Sequence, residues 1–346
     1  MKKILSLFLI TAFILVSFTG CNGITKKQKF TDYSFECFDT VTTIIGYENN
    51  KSDFNKNCEK IKNRLLEYHK LYDIYNSYPN ITNLYTVNNS TENEIKVPKK
   101  IIDLIEFSKE MYQKTNGKFN VAMGSVLSIW HEYREKGIEK PNEATLPDLK
   151  LLKKAAENTD INSVTVNKSK STVLKSENVK IDVGGVAKGY ATEMVANECS
   201  ADGINGYILN VGGNVKLIGE KYDNKPWTVG IENPDDKDGD GYIEKLSLSN
   251  TSLVTSGSYQ RFYTVNGKKY HHIIDTDTLF PAEYFESVSV LTENSALADV
   301  LSTALFCMSY DDGLKLLNGF QDVEVMWVTN KGEKLYTNGF KKYIIK

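Results

Sequence analysis

The run Lys180-Ile181-Asp182-Val183-Gly184-Gly185-Val186-Ala187-Lys188-Gly189-Tyr190-Ala191 reads as a buried strand end, a glycine turn and the start of a helix. Such a turn aims free backbone N–H groups into open space. Groups of this kind hold phosphates, and a lysine in the first helical turn adds charge. The run lacks the Gly-Lys-Ser/Thr ending of a P-loop and the spacing of G-x-G-x-x-G, so neither nucleotide motif accounts for it.

Outward from this run, apolar spacing predicts helices over Asp53 to Tyr72, Pro98 to Thr115 (stopped by Asn116-Gly117), Val121 to Lys136, Leu146 to Asn158, Ala187 to Ala201, Ser295 to Ser309 and Asp311 to Leu317. Phe38 to Tyr47 is β-branched and reads as a strand, Asp73 to Asn88 as a polar loop, and Val164 to Lys175 as a hairpin. From Gly206 to Thr264 strands dominate, with turns at Gly212-Gly213, Asn224-Lys225 and Asn250. Helices and strands mix without a strict βαβ rhythm, which points to an α+β (mixed α/β) fold.

Lys2 and Lys3 precede an apolar run from Ile4 to Val16, too short for a membrane span, and Ser17-Phe18-Thr19-Gly20-Cys21 follows. This resembles a bacterial lipoprotein signal, with Phe18 where leucine is usual. Residues 1–20 are expected to be cleaved, Cys21 to be lipidated, 21–30 to serve as a polar tether, and 31–346 to form one domain. The net charge of −2, with no basic stripe carrying interleaved aromatics, argues against a nucleic-acid partner. Cys37, Cys58, Cys199 and Cys307 are scattered, without C-x-x-C, which argues against zinc. Buried thiols and one or two disulfides are both compatible with that spacing.

Four segments carry candidate chemistry. Asp299 and Thr303 lie four apart on a predicted helix and so share a face. A carboxylate and a hydroxyl there are hard oxygen ligands suited to Mg²⁺. In Tyr270-His271-His272-Ile273-Ile274-Asp275, strand alternation separates His272 from Asp275, and a turn after Ile274 would bring them together. Thr255-Ser256-Gly257-Ser258-Tyr259 offers N–H and O–H donors. Asp236-Lys237-Asp238-Gly239-Asp240-Gly241 matches the start of a calcium loop, but Ser247 stands where the bidentate glutamate belongs, so it reads as an exposed hairpin loop.

In this order the segments resemble the ApbE family of flavin transferases over nearly everything after the tether. Phe38-Asp39-Thr40, Tyr75, Thr115-Asn116-Gly117-Lys118-Phe119-Asn120, Asp182 to Ala191, Asn210 to Asn214, Thr255 to Tyr259, His272 to Asp275 and Asp299 to Thr303 carry the likeness. The resemblance implies an FAD cleft between two packed halves, with Mg²⁺ held by the Gly185 carbonyl, Asp299 and Thr303. It implies flavin-nucleotide contacts from Phe38, Tyr75, Lys118, Phe119, Asn120, Asp182 and Lys188, to which Ser256 and His272 are added. The implied reaction moves FMN from FAD to a threonine of a target protein and releases AMP. His272 is read as its base, Lys188 as its phosphate partner and Asp275 as a further catalytic residue, which a turn could bring to His272. Implied partners are membrane redox complexes at the extracytoplasmic face, reached by the lipid on Cys21. Asn120 where aspartate is common, Thr276 for proline and Leu279 for glycine depart from the family pattern. Rival readings are a hydrolase splitting FAD into FMN and AMP, a non-catalytic flavin-binding lipoprotein, and a calcium module built on the Asp236 loop.

Overall fold

The computed structural model describes residues 27–234 and 241–346. The signal at 1–20, Cys21 and the loop Asp236 to Asp240 lie outside them. The first elements are β1 (Gln28–Ser34), β2 (Thr42–Glu48), α1 (Lys51–Tyr72), α2 (Leu84–Asn89), β3 (Glu94–Lys96), α3 (Lys99–Lys114), α4 (Gly124–Glu139) and α5 (Leu149–Ala156). Then come β4 (Val164–Asn167), β5 (Thr172–Lys175), α6 (Ala187–Ala201), β6 (Tyr207–Val211), β7 (Asn214–Ile218), β8 (Trp227–Glu232), β9 (Tyr242–Leu248) and β10 (Ser252–Gly257). The remainder is β11 (Phe262–Val265), β12 (Lys268–His271), β13 (Phe285–Thr292), α7 (Ser295–Phe306), α8 (Tyr310–Leu317), β14 (Glu324–Thr329) and β15 (Lys334–Tyr336).

The mixed α and β class is borne out. An antiparallel sheet runs in the order β1-β2-β6-β7-β10-β13-β14-β15. Because side chains alternate across a strand, each central strand feeds two cores. Tyr207, Leu209 and Val211 of β6, Val288 and Val290 of β13, and Val325 and Trp327 of β14 join the helix layer of α1, α6 and α7. Ile208, Leu253, Leu291, Met326 and Val328 point the other way, where the β8–β9 hairpin and Phe340 cover them. A third cluster joins Met123, just before α4, and Val126 and Trp130 of α4 to Leu152, Tyr263, Val265, Ile274 and Leu279.

Several expectations shift. Gln28 to Phe30 belong to β1, so the last three residues of the predicted tether are part of the sheet. Phe38 to Val41 precede β2 rather than forming its start, and Phe38 and Asp39 take left-handed φ values of 57° and 49°. Lys180 to Val183 forms no sheet strand. It makes one parallel bridge, Lys180 to Met123, and the Asn88 side chain clamps Ile181 through both backbone groups at 2.8 and 2.7 Å. Inside the expected polar loop stands α2, held by a capping box between Asn83 and Thr86. The hairpin β4–β5 and the bounds of α6 are as predicted. The turns at Gly212-Gly213, Asn224 and Asn250 all carry positive φ. Cys37, Cys58, Cys199 and Cys307 are buried free thiols.

Candidate active site

A cavity of about 1060 Å³ opens where the α6/α7 face and the sheet meet α4, β11 and β12. That is at the upper end of the usual range for small-molecule sites, roughly 300–1,000 Å³, and is roomy enough for a dinucleotide.

The start of α6 shows why Asp299 sits where it does. The residue before the helix is Val186, which has no side-chain acceptor for the orphan N–H groups of the first turn. Asp299 of α7 supplies it from outside: its Oδ2 accepts the Gly189 N–H at 2.8 Å. The carboxylate thus caps a neighbouring helix and complements its positive end. Gly189 permits this approach, because a Cβ there would collide with Asp299 and lie 2.5 Å from the Ser295 carbonyl. Gly189→Ala is therefore expected to lower stability by about 1–3 kcal/mol through overpacking. Thermal unfolding checks this, and a wild-type melting temperature would contradict the close approach.

Asp299, Thr303 and Gly185 come together as predicted. Asp299 and Thr303 share the cavity face of α7, and Thr303 Oγ1 lies 3.2 Å from the point a Gly185 Cβ would occupy. Among the described residues no cluster of three His, Cys, Asp or Glu side chains forms a metal cage. One carboxylate, one hydroxyl and one backbone carbonyl are instead the sparse, hard-oxygen set that suits Mg²⁺, which keeps water and substrate oxygens as its other ligands. Burial raises the Asp299 carboxyl above its ordinary pKa, opposed by the Lys188 charge and the Gly189 N–H. Lys188 lines the cavity at the second position of α6 and makes no hydrogen bond or ion pair among the described residues.

The tandem histidines separate by their hydrogen bonds. His271 Nδ1 accepts from the Ile273 N–H at 3.2 Å, so its other nitrogen, Nε2, donates to the Ala282 carbonyl at 2.8 Å. Both ring nitrogens are engaged and the residue braces the turn. His272 donates from Nδ1 to the Arg261 carbonyl at 3.2 Å, which leaves the Nε2 lone pair free of protein partners among the described residues. Burial, then Arg261 and Lys188, push its pKa down to about 3, so the ring is neutral.

Asp275 is not beside His272. The chain turns after Ile274, and the buried Asp275 pairs with Lys118 at 2.9 Å and accepts the Asp277 N–H at 3.0 Å. The carboxylate does not line the cavity and instead anchors a lysine that does. This corrects its placement next to the base. Phe38 is also displaced: its ring packs edge-on against His69, and Asp39, Thr40 and Val41 line the cavity in its stead.

Lys118, Phe119 and Asn120 reach the wall because α3 ends in left-handed Asn116 and Gly117, with the Gly117 N–H bonded back to the Tyr112 carbonyl at 2.9 Å. Asn120 accepts the Ala122 N–H at 2.8 Å and donates to the Thr159 carbonyl at 2.9 Å. Aspartate could not make the second bond, so the departure at 120 is matched by a local partner. Asp182 caps the glycine turn, accepting the Gly184 N–H at 2.8 Å. Ser256 lines the wall with its hydroxyl 2.8 Å from that of Ser302, and Tyr75 stands at the rim, 54 % exposed.

Sequence reasoning missed His131, Arg134 and Arg261, which also line the cavity. A signal existed: the chain has only three arginines among 42 basic residues.

The ApbE family model matches residues 38–327. An FAD:protein FMN transferase of Treponema pallidum is 30% identical over 251 residues, covering 68% of this chain and 67% of that protein. One from Haemophilus influenzae is 26% identical over 325 residues, covering 91% of this chain and 90% of its own length. In structure, the ApbE protein of Thermotoga maritima superposes with a TM-score of 0.80 at 25% identity, over 92% of this chain and 100% of that one. The flavin transferase ApbE of Vibrio cholerae has a TM-score of 0.75 at 22% identity, covering 92% and 99%, and shares the fold.

Proposed function

The chain belongs to the ApbE family, and on that premise we propose that it is an FAD:protein FMN transferase that moves FMN from FAD to a threonine hydroxyl of a target protein. One observation carries the reading. Gly185, Asp299 and Thr303 converge in the same cavity as Lys188 and the His272 Nε2, neither of which has a hydrogen-bond or ion-pair partner among the described residues.

Mg²⁺ held by Asp299, Thr303 and the Gly185 carbonyl would neutralise diphosphate charge as the P–O bond breaks. Lys188 and the N-terminus of α6 offer further positive charge to the same oxygens. The threonine Oγ attacks the FMN phosphorus and its proton passes to His272 Nε2. The bond to the adenylate oxygen breaks, and AMP leaves with the electron pair. The Arg261 carbonyl holds Nδ1–H, which fixes the tautomer this step requires. A base with a pKa near 3 is weak. Part of that depression comes from Arg261 and Lys188, however, and a diphosphate bound beside them offsets their field. Substrate binding therefore lifts His272 toward basicity.

Cleavage before Cys21 and lipidation of its thiol would tether the enzyme at the extracytoplasmic face, beside membrane redox subunits that carry covalent FMN. The support is the sequence of residues 1–21. No described helix is long and apolar enough to cross a membrane.

The test is mass spectrometry of a threonine acceptor peptide incubated with the protein, FAD and Mg²⁺. Addition of one FMN to threonine with release of AMP is expected. Free FMN and AMP beside an unmodified peptide would favour the hydrolase, and intact FAD throughout would leave a binding protein.

A further inference from the structure

Of the three arginines in the chain, Arg64 serves the surface of α1, bonded to Asp202 at 2.7 Å and Glu198 at 3.2 Å. Arg134 is different. It lies on α4 with its side chain 14% exposed, lines the cavity, and donates to His131 Nδ1 at 2.8 Å. Its one ion-pair partner among the described residues, Glu135, stands 3.4 Å away and is largely exposed.

A guanidinium has donors only, so the His131 Nδ1 it meets must carry a lone pair. His131 is therefore neutral, with its proton on Nε2, and that N–H has no partner among the described residues. Burial and the Arg134 charge both lower the His131 pKa, in keeping with this tautomer. The imidazole lies against the Tyr75 ring, with centroids 5.1 Å apart and planes 32° apart. Asp182 lies within electrostatic reach of His131, Arg134 and Tyr75.

The set is thus an aromatic face bordered by two donors and one carboxylate acceptor. A carboxylate beside Arg134 disfavours a phosphate there, and Lys188 already serves the diphosphate end. A neutral planar ring fits better. The imide edge of an isoalloxazine presents two carbonyl acceptors and one N–H donor, the numbers that two donors and one carboxylate can meet. Adenine presents an amine donor beside a single ring acceptor at its corresponding edge.

We infer that Arg134 fixes His131 as an Nε2–H donor and that the two, with Asp182, read the imide edge of the flavin ring lying against Tyr75. They are then specificity-determining residues for the flavin half of the substrate. The inference rests on the proposal that the chain binds FAD.

The experiment compares equilibrium binding of FAD, FMN and ADP to the wild-type protein, Arg134→Gln and His131→Ala. Thermal melts accompany it to show which variants are folded. Each variant is expected to weaken FAD and FMN binding by about tenfold while ADP binding changes less than about twofold. Equal losses for FAD and ADP would make Arg134 a phosphate ligand and overturn the inference. Loss for ADP alone would put adenine on Tyr75, and no loss would remove Arg134 and His131 from recognition. If Arg134→Gln does not fold, His131→Ala decides alone, because it leaves Arg134 in place. Wild-type protein that binds no FAD would instead sink the family-based reading.

Discussion

Asp299→Asn is expected to give a folded protein whose magnesium-dependent FMN transfer is lower by roughly two to three orders of magnitude. The prediction separates two roles that one side chain combines. Asp299 Oδ2 accepts the Gly189 N–H and so closes the start of α6. An asparagine oxygen accepts the same bond in the same space, so the cap survives. The negative charge does not survive, and a divalent cation on a site with a single carboxylate loses most of its attraction. Asp299→Ala removes both, and its additional loss is the cap, about 1 kcal/mol. The measurements are thermal melts of the three proteins and transfer rates across a magnesium series. Asp299→Asn with wild-type rates and an unchanged magnesium dependence would reduce Asp299 to a helix cap. An asparagine variant that melts level with or above wild type, because burial disfavours the Asp299 charge, and an alanine variant that melts below both, with the two variants equally inactive, are the expected result.

What was legible in the sequence follows from how local each feature is. The bounds of α6 could be read because Ala187 to Ala201 is a continuous run with its punctuation beside it. The Asp299–Thr303 pair could be read because helix periodicity alone places both on one face. Phe38 could not, since two successive non-glycine residues in the left-handed region leave no compositional trace, and the His69 Nδ1 that accepts the Phe38 N–H lies 31 residues away. Asp275 was misplaced for the same kind of reason: its partner Lys118 is 157 residues distant. Arg134 and His131 were missed although they were accessible. Leu127, Trp130, His131 and Arg134 follow one another at i, i+3, i+4 and i+7 and all reach the cavity. A stripe that begins apolar and turns basic over one helix marks where core gives way to site.

Replacing His272 by alanine is expected to slow FMN transfer by about 10²–10⁴-fold, the usual contribution of a positioned base, with much less effect on FAD affinity. His272 is bonded through ring Nδ1 and through its backbone N–H, both directed to the Arg261 carbonyl, at 3.2 and 3.1 Å. The backbone bond persists in the variant, so the turn is retained. The pH profile identifies the role. With its pKa held near 3, far below the ordinary 6.5, His272 is neutral above that value and is lost as a base when protonated below it. Bound diphosphate moves the pKa upward by offsetting Arg261 and Lys188. The wild-type rate should therefore rise with pH along a limb whose midpoint lies between 3 and 6.5. In the alanine variant the limb should vanish along with most of the rate. His271→Ala supplies the contrast: both of its nitrogens brace the turn, so it should cost stability and leave the limb in whatever activity remains. Single-turnover transfer rates across the pH range, with FAD saturating, decide the matter. A His272→Ala enzyme that keeps the acid limb would move the base elsewhere in the cavity.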